Sequence, residues 1–77
     1  MSETTLGQPR SIRLNGRRTS LRLEPVAWVS VIEIADREGM TVDELIQGVA
    51  DEKATGRCLA SAVRVFVADY WQQGGRL

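Results

Sequence analysis

The sequence has no histidine and only one cysteine, and both scarcities restrict its chemistry. Histidine is the side chain that most often acts as a general base near neutral pH. Cys58 alone cannot form a disulfide within the chain or supply a cysteine-only zinc site. Without a histidine partner, Cys58 is expected to be a buried or capping residue rather than a nucleophile. The sequence therefore predicts a protein that is not an enzyme and that uses no metal or cofactor.

Long apolar stretches are also missing. The longest apolar runs, residues 26–29 and 65–68, are far shorter than the roughly 18 residues of a membrane-spanning helix. Residues 1–9 lack the apolar core of a secretory signal and are expected to form a flexible tail. We therefore expect a cytoplasmic protein with no membrane contact. Because a domain of this size buries little apolar surface, self-association is the expected source of further stability.

The net charge is zero, but the two signs are separated along the chain. Residues 1–23 contain five arginines and one glutamate, a net charge of +4. Residues 24–77 contain five basic and nine acidic side chains, a net charge of −4. Such a separation indicates that the N-terminal part binds a polyanion.

The side chains of residues 10–23 alternate in polarity, which is typical of β-strands with one apolar and one polar face. Asn15-Gly16 separates two such runs and is a strong signal for a hairpin turn. In the second run, Leu21 and Leu23 fall on the apolar face. The polar face of that run consists of Arg18, Ser20 and Arg22.

Three amphipathic helices are predicted after these strands. The first spans about residues 25–38, begins at Pro25 and ends before Gly39. The second spans about residues 42–53 and follows the capping-box sequence T-V-D-E. The third spans about residues 59–73. The inward side of the first helix is predicted to consist of Trp28, Val31, Ile32 and Ala35, and that of the third of Leu59, Ala62, Val63, Phe66, Val67 and Tyr70.

An arginine-rich strand can serve to bind DNA if it pairs with the same strand of a second copy of the protein. Two such strands form an antiparallel ribbon that fits the DNA major groove, which is about 12 Å wide. Arginine can bind guanine O6 and N7 with two hydrogen bonds, and serine can bond to several base edges. If residues 10–17 complete a hairpin, two copies give four strands that span roughly 14 Å. Residues 10–17 are then expected to be outer strands or an arm along the DNA backbone, with Arg13 and Arg17 on phosphates.

The order of these motifs resembles the ribbon-helix-helix DNA-binding fold of the Arc and methionine repressors. The segments RSIRLNGRRTSLRLEP, EIADREGMTVDELI and LASAVRVFVADYW, with Trp28 after the first, are similar to a bacterial subfamily of small ribbon-helix-helix proteins. The similarity covers about residues 10–71. It implies a mainly α fold with a short N-terminal β-ribbon and a third C-terminal helix. The domain would then span residues 10–73, between the tail of residues 1–9 and a second tail of residues 74–77.

The resemblance also implies function. It implies an intertwined homodimer that binds double-stranded DNA and regulates transcription, with repression as the expected mode. Arg18, Ser20 and Arg22 would contact bases, and Gly39, Met40 and Thr41 would contact a phosphate. Cys58 stands where the subfamily usually has asparagine, a better helix cap. The expected dimer core consists of Leu21, Leu23, Trp28, Ile32, Leu45, Ile46, Val49 and Phe66.

A second function remains open from the sequence. The third helix ends in Tyr70 and Trp71, which could contact another protein if they are exposed. A protein-interaction module, such as an antitoxin or an adaptor that binds through the third helix, is therefore the alternative.

Overall fold

The computed structural model describes residues 8–53, 56 and 58–76. An antiparallel hairpin is followed by three helices: β1 (Gln8–Leu14), β2 (Arg17–Leu23), α1 (Pro25–Arg37), α2 (Val42–Glu52) and α3 (Leu59–Gln72). The predicted mainly helical fold with an N-terminal β-ribbon and a third helix is confirmed. Residues 1–7 of the expected tail lie outside the described residues, whereas residues 8–9 belong to β1.

The hairpin turn is built by the two residues that the sequence indicated. Asn15 and Gly16 both have positive φ, 52° and 78°, as a type I′ turn requires. The turn sets a register in which Leu14 faces Arg17 and Ile12 faces Thr19. Residues 10–14 are therefore part of the strand β1, and the alternative of a flexible arm is not observed.

One face of the hairpin closes the hydrophobic core. Ile12, Leu21 and Leu23 are at most 5% exposed and pack against the helices. Because strand side chains alternate between faces, this burial directs the intervening side chains away from the core. The rest of the buried core comes from Trp28, Val31, Ile34, Ala35, Leu45, Ile46, Ala62, Val63 and Tyr70.

The inward side of α1 differs from the prediction at one residue. Trp28, Val31 and Ala35 are buried as expected, but Ile32 is 43% exposed, and Ile34 is fully buried instead. A helix advances by about 100° per residue, so the predicted inward side of α1 and the observed one overlap but are rotated relative to each other about the helix axis. The observed rotation leaves Ile32 on the surface of the protomer.

The α1–α2 turn is stabilised by hydrogen bonds at both helix ends. Gly39 has φ 71° and ends α1 in a Schellman motif, in which the amide of Met40 donates to Ala35 O at 2.9 Å. The predicted capping box is present: Glu44 N donates to Thr41 Oγ1 at 3.0 Å, and Thr41 N donates to Glu44 Oε1 at 2.8 Å.

The start of α3 is held partly by side chains. Cys58 is the N-cap and is exposed; its Sγ contacts Ser61 Oγ at 3.2 Å, and it forms no side-chain cap to a backbone amide. Arg64 makes two hydrogen bonds of 2.9 and 3.0 Å to Glu24, at the start of α1. These bonds lower the pKa of the Glu24 carboxyl.

The C-terminal end of α3 packs against the end of α1. Tyr70 donates a 2.7 Å hydrogen bond to Glu38 and accepts one of 3.2 Å from Arg37 Nε. Arg37 Nη2 also donates to Gly75 O at 3.1 Å, and Gly75 is buried. Residues 74–76, which were expected to begin a tail, are therefore in part held by α1; residue 77 lies outside the described part of the chain.

The hairpin turn provides a stability prediction. Gly16→Ala should lower the free energy of unfolding by about 1 kcal/mol, because an L-residue at positive φ is strained. Gly48→Ala is the matched control, since Gly48 lies in α2 without positive φ and a Cβ added there would meet no other part of the protein within 4 Å. The control should be neutral or stabilising by up to about 1 kcal/mol. Urea unfolding of both variants measures the difference, and equal stability of the two would contradict the assigned turn.

Candidate nucleic-acid interface

The outer face of the hairpin presents two adjacent rows of residues, and all of these residues except Pro9 are polar. Directly paired residues share a face of a sheet, and three such pairs lie opposite the buried face. All six residues are exposed. We call this surface the polar face; it consists of Pro9, Ser11 and Arg13 on β1, paired with Arg22, Ser20 and Arg18 on β2.

Positive charge is concentrated at the turn end of the polar face. Arg13 and Arg18 are direct cross-strand partners, an arrangement that destabilises a sheet through repulsion between like charges. Within residues 8–53, 56 and 58–76, no carboxylate forms an ion pair with Arg13, Arg17 or Arg18. The charge of this end is therefore available to an anionic partner.

Two hydrogen bonds orient the arginines at this end. Arg18 Nη1 donates to Ser11 Oγ at 3.0 Å, across the hairpin. Arg13 Nη1 lies 3.5 Å from Gly16 O, at the limit of a hydrogen bond, so Arg13 leans toward the turn. The two guanidinium groups are thus drawn to different neighbours.

The other two N-terminal arginines lie on the opposite side of the sheet. Arg17 pairs with Leu14, and Arg10 pairs with Leu21, so both have the parity of the core-facing residues. Both are nevertheless exposed. The guanidinium of Arg10 lies 5.2 Å from the ring centre of Trp28, a cation–π contact. Arg13, predicted with Arg17 to contact phosphates, lies on the polar face beside the three predicted base-reading residues.

The register also determines which backbone groups point outward. The pair that flanks a two-residue turn is hydrogen-bonded, and bonded and non-bonded pairs then alternate along the ladder. The pairs Arg13–Arg18 and Ser11–Ser20 are therefore non-bonded, so their amides and carbonyls point away from the partner strand. The outer edge of β2 consequently carries the backbone groups of Arg18 and Ser20, and no further strand of the described chain pairs with it.

The outer edge of β1, in contrast, is covered by α2. The amide of Arg13 donates to Asp43 Oδ1 at 3.3 Å. At the turn, Asn15 N donates to Gln47 Oε1 at 2.8 Å, and Gln47 Nε2 donates back to Asn15 Oδ1 at 3.2 Å. The first residue of β1 is held by α1 instead, since Trp28 Nε1 donates to Gln8 O at 2.8 Å. The two edges of the hairpin therefore differ, and the edge of β2 is the one available for pairing.

The predicted phosphate contacts lie at the start of α2, where the backbone amides already have acceptors. Gly39 N donates to Asp36 O at 3.2 Å, and Met40 and Thr41 donate within the turn and the capping box described above. Among the described residues, the amides of Val42 and Asp43 have no acceptor. The T-x-x-E sequence itself could have indicated that the amide of Thr41 is occupied.

The residues predicted to form a dimer core are divided between the interior and the surface of the protomer. Val49 and Phe66 are half-buried, and Ile32 is exposed. Val26 and Val29 of α1, 73% and 62% exposed, lie along the same side of the helix as Ile32. The other five predicted residues are already buried in the protomer: Leu21, Leu23, Trp28, Leu45 and Ile46.

None of the helices described is long and apolar enough to cross a membrane.

Comparisons with known proteins agree with the architecture described above. No curated protein is significantly similar to the chain. A solved structure, that of an uncharacterized protein from Bordetella pertussis Tohama I, matches with a TM-score of 0.72 and 39% identity. The match covers 92% of this chain and 62% of the Bordetella protein, so this chain spans less than two thirds of the length of that relative.

A family model for the ribbon-helix-helix domain matches residues 8–71. Proteins with this domain are generally non-enzymatic regulators that typically dimerise and bind DNA. The matched range includes both strands and nearly all of α3, so the resemblance noted in the sequence is confirmed. The chain belongs to the ribbon-helix-helix domain family.

Proposed function

We propose that the protein is a cytoplasmic homodimer that binds double-stranded DNA in a sequence-specific manner and regulates transcription, with repression as the expected mode. The observation that carries this proposal is the polar face: arginine and serine side chains lie on an exposed surface, while Ile12, Leu21 and Leu23 on the reverse side are buried in the core. A surface of this kind combines affinity for phosphates with hydrogen-bond donors for base edges.

The dimer would form through the outer edge of β2. An edge strand with unpaired backbone groups pairs readily with another strand, and a second copy of β2 is the natural partner. The exposed apolar side chains of α1, including Val26, Val29 and Ile32, would be covered in the same association. The exposure of Ile32 in the protomer is consistent with its proposed place in a dimer core.

The width of the resulting sheet limits which strands enter the groove. Four strands span roughly 14 Å between the outer strand axes, whereas the major groove is about 12 Å wide. The central pair of β2 strands would enter, and the β1 strands would lie near the groove walls. Arg18, Ser20 and Arg22 would then meet bases, and Arg13 would meet the backbone phosphates. Arg17, at the turn end and on the other side of the sheet, would reach phosphates beyond the groove wall.

A phosphate at the start of α2 would have to compete with the capping box. The helix dipole and the amides of Val42 and Asp43 favour an anion there. The carboxylate of Glu44 already accepts from Thr41, and its charge opposes a second anion. We propose that a phosphate bound at the turn of Gly39, Met40 and Thr41 requires Glu44 to move aside and release the amide of Thr41, while the amides of Gly39 and Met40 stay bonded to α1.

The alternative function rests on the surface of α2 and α3. Val49, Val65 and Phe66 line a groove between these helices, and Trp71 is 37% exposed. An adaptor or antitoxin would use this surface to bind another protein. A protein without sequence preference for DNA, and with a partner bound at α3, would favour this alternative.

Selection of bound sites from random double-stranded DNA, combined with the mass in solution, tests the proposed function. We expect a palindromic motif and the mass of a dimer, because an antiparallel ribbon of two copies has twofold symmetry. With about six phosphate contacts, the logarithm of the binding constant should fall with the logarithm of salt concentration with a slope near −5. A monomer, or binding unaffected by salt, would contradict the proposal.

The two classes of arginine should respond differently to substitution. Arg22→Ala should cost about 1–3 kcal/mol at the selected site and relax preference at one base position. Arg13→Ala represents the phosphate-contacting class, on β1. It should weaken binding to all sequences alike and reduce the magnitude of the salt slope by about 1. Titrations of each variant with the selected site and its single-base changes measure both effects. If Arg13→Ala lost base preference and Arg22→Ala kept it, Arg13 would be the base-contacting residue and Arg22 the phosphate-contacting one.

The charge of Glu44 should oppose DNA binding. Glu44→Gln keeps an oxygen that can accept from Thr41 N, so the capping box and the thermal stability should be largely retained. Removal of the negative charge beside the bound phosphate should raise affinity about two- to fivefold at low salt, and screening should diminish the gain at high salt. Glu52→Gln, at the opposite end of α2, is the charge-matched control. An equal gain in the control would assign the effect to net charge alone.

A further inference from the structure

We propose that Ser11 of β1 is a positioning residue for Arg18, which holds the guanidinium extended across the hairpin before DNA is bound. This inference rests on the proposed function and assigns a specificity role to the outer strand. The Ser11 hydroxyl accepts a 3.0 Å hydrogen bond from Arg18 Nη1. Ser11 faces Ser20 in the register, so it is the diagonal neighbour of Arg18 on the polar face. Diagonal neighbours lie within reach of a long side chain.

The residues around Arg18 favour one orientation of its side chain. Its direct partner is Arg13, which repels it and whose guanidinium leans toward the carbonyl of Gly16. The hydroxyl of Ser11 lies on the other side, one pair farther from the turn. Repulsion from Arg13 and attraction to Ser11 therefore act in the same direction.

A hydroxyl is a suitable partner for an arginine that must later bind DNA. It carries no charge, so it orients the guanidinium without neutralising it, whereas a carboxylate would compete with phosphates and guanine. A guanidinium has five N–H donors, and one bond to Ser11 leaves four for a two-pronged contact with guanine. Because the side chain is already ordered, less rotamer freedom is lost on binding.

The positioning can be tested without DNA. NMR relaxation of the Arg18 Nε–H group in the free protein should show an ordered side chain, and Ser11→Ala should make it markedly more mobile. Ser11→Thr keeps the hydroxyl and suits a strand, so it should restore the order. Unchanged mobility of Arg18 in Ser11→Ala would overturn the proposal, whether or not the protein binds DNA.

The consequence for recognition is tested with the selected DNA site. Ser11→Ala should weaken binding to that site by about three- to tenfold, the effect of one hydrogen bond, and Ser11→Thr should restore it. Binding to unrelated DNA should change little, and the melting temperature and dimer mass should be retained. Absence of any sequence preference in the unaltered protein would count against the proposed function, and the NMR comparison would still decide the positioning.

A double-mutant cycle separates positioning from direct contact. In an Arg18→Ala background, Ser11→Ala should have no further effect, because the group that Ser11 orients has been removed. If the full loss persists in that background, Ser11 contacts DNA by itself and the positioning role is wrong.

Discussion

The burial of one face of the hairpin is the constraint on which the rest of the structure depends. Ile12, Leu21 and Leu23 are buried in the core with the helices, and their burial fixes the register of both strands. Because the strand repeat is two residues, a slip by one would place arginines in the core and leucines in water. The same packing that stabilises the domain therefore orients the polar face, and no separate interaction is needed to expose Arg18, Ser20 and Arg22.

The unequal edges of the hairpin are a second consequence of this packing. Contacts from Asp43 and Gln47 cover the edge of β1, so α2 protects the strand that does not pair in the proposed dimer. The edge of β2 keeps the backbone groups of Arg18 and Ser20 pointing outward. Edge protection commonly prevents unwanted strand pairing, and here it leaves a single site for pairing. That selectivity favours a closed twofold dimer over an open chain of sheets.

Much of this arrangement could be predicted from local sequence signals. The Asn15-Gly16 turn, the capping box of Thr41 and Glu44, and the parity of the polar face all depend on neighbouring residues with well-defined geometry. The exposure of Ile32 could not be predicted, because the rotation of α1 depends on how the hairpin and α3 pack around it. The bond between Ser11 and Arg18 depends on cross-strand geometry and on a rotamer, neither of which a sequence pattern specifies.

The distribution of charge completes the link between fold and proposed function. The acidic residues of the described chain begin at Glu24 and lie on or beside the helices, whereas the arginines of residues 10–22 lie on the hairpin. A polyanion is therefore attracted to the hairpin and repelled by the acidic helices, so the field favours approach from the side of the polar face. The repulsion between Arg13 and Arg18 weakens the hairpin when the protein is free, and a phosphate or a guanine between them would relieve it. The cost in stability and the gain in binding would then have the same origin, and the burial of Ile12, Leu21 and Leu23 would compensate for that cost.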